Sequence, residues 1–273
     1  MASAARTTDG PVIARTLGLP DRLAIWGGLG ALSALAWFYL WRMPTTGGGM
    51  EMAGMPGMSG MAAMPGMSMA SPWSATALWL TFLMWAVMMV AMMLPSAAPM
   101  VATYALVAEG RGGSPRVRVW LFAAGYVAVW IAFSAVVTVL QTAMDQAAML
   151  TGAMRVAPLA GGVILALAGA YQLSPLKRKC LRHCQSPLGF LMTHWRDGGV
   201  GAIVMGLDHG AFCVGCCWML MALLFVAGVM NLLWVAVLTA FVLIERATPW
   251  GAKLATVSGF ALIAGGLALA ALS

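Results

Sequence analysis

The chain has 273 residues, 62% of them hydrophobic and only 8% charged, with a formal net charge of +7. A soluble globule ordinarily carries about a quarter charged residues, so this composition excludes one and implies an integral membrane protein. Lys and Arg sit between apolar runs rather than in a basic stripe interleaved with aromatics, which argues against nucleic acid as a partner, and five unevenly spaced cysteines argue against a disulfide framework.

Apolar runs long enough to cross about 30 Å of hydrocarbon recur seven times. They lie near 23–42, 76–94, 119–140, 156–173, 199–227, 230–248 and 252–272. The expected fold is all-α, a polytopic transmembrane helix bundle of about seven spans embedded in the lipid bilayer. Its parts are a cytoplasmic tail over 1–22, a first transmembrane helix over 23–42, an external loop over 43–75 and a helical membrane domain over 76–273. A cytoplasmic N-terminus leaves only Arg42 and Arg155 of the 15 basic residues outside, with Lys177 and Arg246 among those counted inside. The first run resembles a signal peptide at Ala34 and Ala36, but its length after a long polar leader reads as a retained helix.

The segment after the first run is low-complexity Met, Gly, Ala, Pro and Ser, which cannot offset the entropy of a packed fold. Within it Met52, Met55, Met58, Met61, Met64 and Met67 recur every third residue. In a polyproline II conformation, which Pro56 and Pro65 favour, six thioethers would align along one edge, a soft-ligand array suited to copper(I). The competing account is a flexible spacer that happens to use Met. In the second helix Met84, Met88 and Met92 share a face, a stripe that reads first as ordinary core filling, before Pro95 and Pro99 interrupt the ladder.

The stretch 174–198 mixes basic and apolar residues and is expected to lie along the inner surface as an amphipathic helix. It contains Cys180, His183 and Cys184, whose offsets of three and four give a second candidate cluster. If the loop tucks back between helices, Cys180 and Cys184 would instead complete a four-ligand site with the fifth span.

That fifth span carries the densest chemistry. His209, Cys213, Cys216 and Cys217 fall within about 100° of one helical face, and Met205 joins them. Thiols and imidazole at these offsets converge beside the helix, where one soft ion, copper(I) or zinc, touches several of them. Asp208 points away from His209 and reads as support. His209 lies roughly 15 Å below the inner surface and Cys216 roughly 25 Å. A lone buried thiol or imidazole is usually a core residue, but four on one face beside an acid, where ionisable groups are costly, point to function. The fifth run ends near Gly228 and Asn231 begins the sixth, so a tight turn should make these helices antiparallel neighbours. Glu245 and Arg246, at the inner end of the sixth span, read as an ion pair or interface cap.

Taken together, WAVMMVAMMLPSAAPM (Trp85 to Met100), the CxxHC loop and GLDHGAFCVGCCWMLM (Gly206 to Met221) resemble an uncharacterised bacterial family of predicted metal-binding integral membrane proteins. The resemblance covers roughly Trp79 to Gly251. It implies a multi-pass protein of the bacterial inner (cytoplasmic) membrane, with Cys180, Cys184, His209, Cys213, Cys216 and Cys217 as the matching positions.

The expected function is capture of a soft metal, copper(I) ahead of zinc, at the external loop, and its holding or passage at the fifth-span cluster, with a metallochaperone or other membrane subunits as partners. No GxxxxGK loop marks ATP-driven transport, and the reading is a metal-handling protein, not a hydrolase. Two alternatives are a thiol–disulfide oxidoreductase cycling Cys213 and Cys216 and passing electrons to quinone, and a structural subunit packing through small-residue helices such as Ala261 to Ala271.

Overall fold

A computed structural model describes residues 19–42, 73–109, 115–147, 149–150 and 155–272. The six methionines Met52 to Met67, expected in an external loop, lie outside the described residues. Within them the chain forms nine helices: α1 (Leu19–Arg42), α2 (Ala75–Glu109), α3 (Pro115–Gln146), α4 (Pro158–Leu173), α5 (Pro175–Gln185), α6 (Pro187–His194), α7 (Gly198–Ala227), α8 (Leu232–Ala247) and α9 (Gly251–Ala271). Proline opens α3, α4, α5 and α6, at a position in the first turn where its missing N–H is no loss.

Five helices, α1, α2, α3, α7 and α9, are long and apolar enough to cross a membrane, and α4 with α5 makes a sixth if the pair is one span broken by a 64° bend. The remaining expected span, α8, has 16 residues, about 24 Å at the helical rise and short of the hydrocarbon thickness. The expected cytoplasmic segment also differs. α5 turns back against α7, and its Lys177 and Leu181 are buried. The bend follows from Ser174, which ends α4 in extended backbone and accepts a hydrogen bond from the Lys177 N–H at 3.1 Å, starting a new helix at once.

α2 continues through both prolines instead of stopping at the first. Pro95 lacks the N–H that would bond the Ala91 carbonyl four residues back. The Trp37 indole of α1 donates to that carbonyl instead, at 3.1 Å. Where an apolar setting offers no water, this repair lets the helix run on.

Two close seams set the packing. In α4 against α9, a Cβ at Gly162 would lie 2.7 Å from the Gly266 carbonyl oxygen, so only glycine permits this approach. Of the paired glycines of α9, Gly266 is thereby used inside the chain, while a Cβ at Gly265 would meet nothing within 4 Å. In α3 against α7, a Cβ at Gly210 would meet Val129 at 2.9 Å. Gly228, at φ 96°, ends α7 and begins the tight turn expected there, yet α8 makes more of its contacts with α2 than with α7.

Candidate metal centre

Helical spacing brings Met205, His209, Cys213, Cys216 and Cys217 of α7 all to the buried side. The structure then divides them. The three thiols pack with Met84, Met88, Met89, Met92 and Met93 of α2 and with Tyr126 and Trp130 of α3. Met205 belongs to a separate cluster nearer the start of α7, where its Sδ accepts the Arg196 backbone N–H at 3.3 Å.

Within the thiol group, Cys216 Sγ lies 3.5 Å from Cys217 Sγ and donates to the Cys213 carbonyl at 3.2 Å. From α5, Cys184 Sγ approaches Cys216 Sγ to 3.9 Å. Two thiolates bound at about 2.3 Å to one ion stand roughly 3.8 to 4.0 Å apart, so this separation suits two sulfurs sharing a metal. Cys184 thus joins the α7 sulfurs, as the tucked-back alternative anticipates. Cys180 is half-buried at the rim, its Sγ facing Gly215, where a Cβ would come within 2.9 Å. Cys216 thus has sulfur neighbours on both sides, Cys217 at 3.5 Å and Cys184 at 3.9 Å.

α5 is held in position by Glu245 of α8. Lys177 Nζ forms an ion pair with the Glu245 carboxylate at 2.7 Å, both side chains fully buried, and also donates to Gln172 Oε1. Gln172 in turn donates to Ser258 Oγ at 3.0 Å, and Gln185 at the far end of α5 donates to the Glu245 carbonyl at 2.8 Å. Both ends of α5 are therefore tied down, and Cys184 is aimed inward between them. Lys177 belongs to the packed core and not to a basic loop.

Arg246, the neighbour of Glu245, is the residue that sequence reasoning undervalued. It does not pair with Glu245. Its Nη2 donates to Cys213 Sγ at 2.8 Å, Cys217 Sγ at 2.8 Å and Cys216 Sγ at 3.3 Å, and to the Cys213 carbonyl at 3.3 Å. Its Nη1 donates to Ser96 Oγ at 2.8 Å. A guanidinium therefore stands among the sulfurs, and among the described residues no group of three His, Cys, Asp or Glu side chains is set as a ready metal cage. A permanent cation inside an apolar run was the available signal, since such a group needs a partner.

His209 sits one step away in an aromatic layer. Its ring lies 5.6 Å from Tyr126, 6.1 Å from Phe122 and 5.4 Å from Phe190, and its Nδ1 is buried without a hydrogen-bond partner. Tyr126 links this layer to the thiols, since its hydroxyl lies 3.0 Å from Cys213 Sγ. His183 stacks on Phe212 at 4.2 Å and meets His194 at 5.9 Å, while His194 stacks on Phe190 at 4.6 Å. All three histidines of the chain thus gather around Phe190 and Phe212. Asp208 is half-buried beside His209 and belongs to neither group.

The sequence model of a family described as copper chaperone matches residues 82–269. No curated protein and no solved structure matches the chain.

Proposed function

The chain belongs to the copper chaperone family, and from that premise we propose that it is a membrane protein that holds copper(I) at Cys184, Cys213, Cys216 and Cys217 and passes it to a partner. The observation that carries this reading is the meeting of sulfurs from two helices in one apolar pocket, with Cys184 of α5 3.9 Å from Cys216 of α7. Thiolates are soft donors, and a copper ion cargo relieves the cost of gathering them away from water. The four thiols make the holding site. His209, with its unpartnered Nδ1, and the adjoining His183 and His194 offer imidazoles for onward transfer, with Cys180 at the rim and Asp208 beside them. The methionines Met52 to Met67 act as the capture loop, on the side of the membrane opposite a cytoplasmic N-terminus.

Metal analysis of the purified protein, loaded with copper(I) under reducing conditions, tests the reading. Wild type is expected to retain copper, and Cys213→Ser with Cys216→Ser to lose about 100-fold or more in affinity, above the loss ordinarily seen for a supporting residue. Equal and negligible copper in both would overturn it.

A further inference from the structure

We propose that Arg246 is the counter-cation of the loaded site, a positioning residue that allows an anionic copper(I)–dithiolate to persist in the interior of the bundle. The inference rests on the copper reading above. Arg246 is 6% exposed, and the carboxylate next to it in sequence is engaged by Lys177. Guanidinium is charged at every accessible pH, and a buried charge is costly unless something of opposite sign answers it. The groups its Nη2 meets are the three thiols and one carbonyl.

Charge arithmetic gives that contact a purpose. Copper(I) displaces two thiol protons as it binds two sulfurs, and the resulting centre carries one net negative charge. In apolar surroundings such an ion is strongly disfavoured by itself. One guanidinium in direct N–H···S contact brings the sum to zero. Arg246 is also suited to hold its position when copper arrives. Nη1 is tied to Ser96, and the Cys213 carbonyl gives Nη2 a second acceptor, so the group yields one sulfur edge while keeping the rest. Hydrogen bonds to ligand sulfur from outside the coordination sphere orient the ligands as well as balance them.

Full-length protein in detergent, wild type and variants, is titrated with copper(I) against a chromophoric copper(I) chelator, and the sulfur count at copper is read by X-ray absorption. Arg246→Gln is expected to weaken binding about 30-fold or more, and its remaining copper to show fewer sulfurs. Arg246→Lys restores the charge without the fork and should recover most of the affinity, with two sulfurs retained. If Arg246→Gln matches wild type within about threefold with an unchanged sulfur count, the proposal falls while the copper reading stands. If wild type binds no copper at its cysteines, the copper reading itself falls. Should Arg246→Gln fail to fold, Arg246→Lys decides: two-sulfur binding within about tenfold of wild type supports the role, and a loss as large as that of the cysteine variants overturns it.

Discussion

Glu245 and Arg246 are adjacent on α8, and the fates of the two buried cations near them differ. Lys177 is met by a carboxylate at 2.7 Å and by Gln172, and that network runs on to Ser258, so four helices, α4, α5, α8 and α9, are stapled at one point. Arg246 is met by thiols, which are weaker partners for a charge and stronger partners for a soft metal. The first arrangement is closed, with every charge answered inside the protein. The second leaves sulfur lone pairs available and a cation already in position. The comparison separates a buried charge that builds the fold from one to which the proposal assigns the preparation of a site.

Glu245→Gln strips Lys177 of its charge partner and is expected to cost about 3 to 5 kcal/mol, read as a fall in thermal unfolding temperature in detergent, while copper per folded molecule falls far less than in Cys213→Ser with Cys216→Ser. A fall in copper with no fall in stability would reverse the assignment of the two cations. Ser96→Ala removes the Nη1 anchor of Arg246. The loss should be about 1.5 to 3 kcal/mol in stability, as for a hydrogen bond to a charged group, accompanied by weaker copper(I) retention in chelator competition. Tyr126→Phe deletes a hydroxyl lying 3.0 Å from Cys213 Sγ and 3.1 Å from the Met93 carbonyl, and about 1 kcal/mol is expected in the same unfolding assay. Smallest is Lys177→Met combined with Glu245→Leu. Removing both charges together should leave stability within about 1 kcal/mol, because an isosteric apolar pair avoids the desolvation that the ion pair bears. A large loss in that double variant would show that the pair supplies more than its charges.

The face of α7 was legible in the sequence, because three- and four-residue offsets within one helix fix which side chains align without reference to any other helix. The same reasoning read α7, α1 and α9 almost to their observed limits. It stopped α2 at Pro95, because the Trp37 donor that repairs the break is 54 residues away in the chain. It assigned Cys184 to a surface segment only because a bend at Ser174 depends on capping that composition does not reveal; the tucked-back alternative allowed for it. The guanidinium among the sulfurs was out of reach for a related reason. Arg246 lies 29 to 33 residues from the thiols it contacts, and α8 turns it toward them through packing on α2 that no periodicity encodes. His209 was grouped with the sulfurs on spacing, but the rings of Phe122, Tyr126 and Phe190 surround its imidazole, a preference set by two other helices, α3 and α6.

The link from Trp37 to Ala91 bears on any attempt to shorten the protein. The stretch shared with the family starts at residue 82, after α1 has ended, so trimming to it looks harmless. Such a fragment would inherit a bare carbonyl in greasy surroundings, at the very turn of α2 that leads to Met93 and Ser96 and so to the arginine beneath them. The leading helix is thus a splint for the proline-weakened rod as well as an anchor.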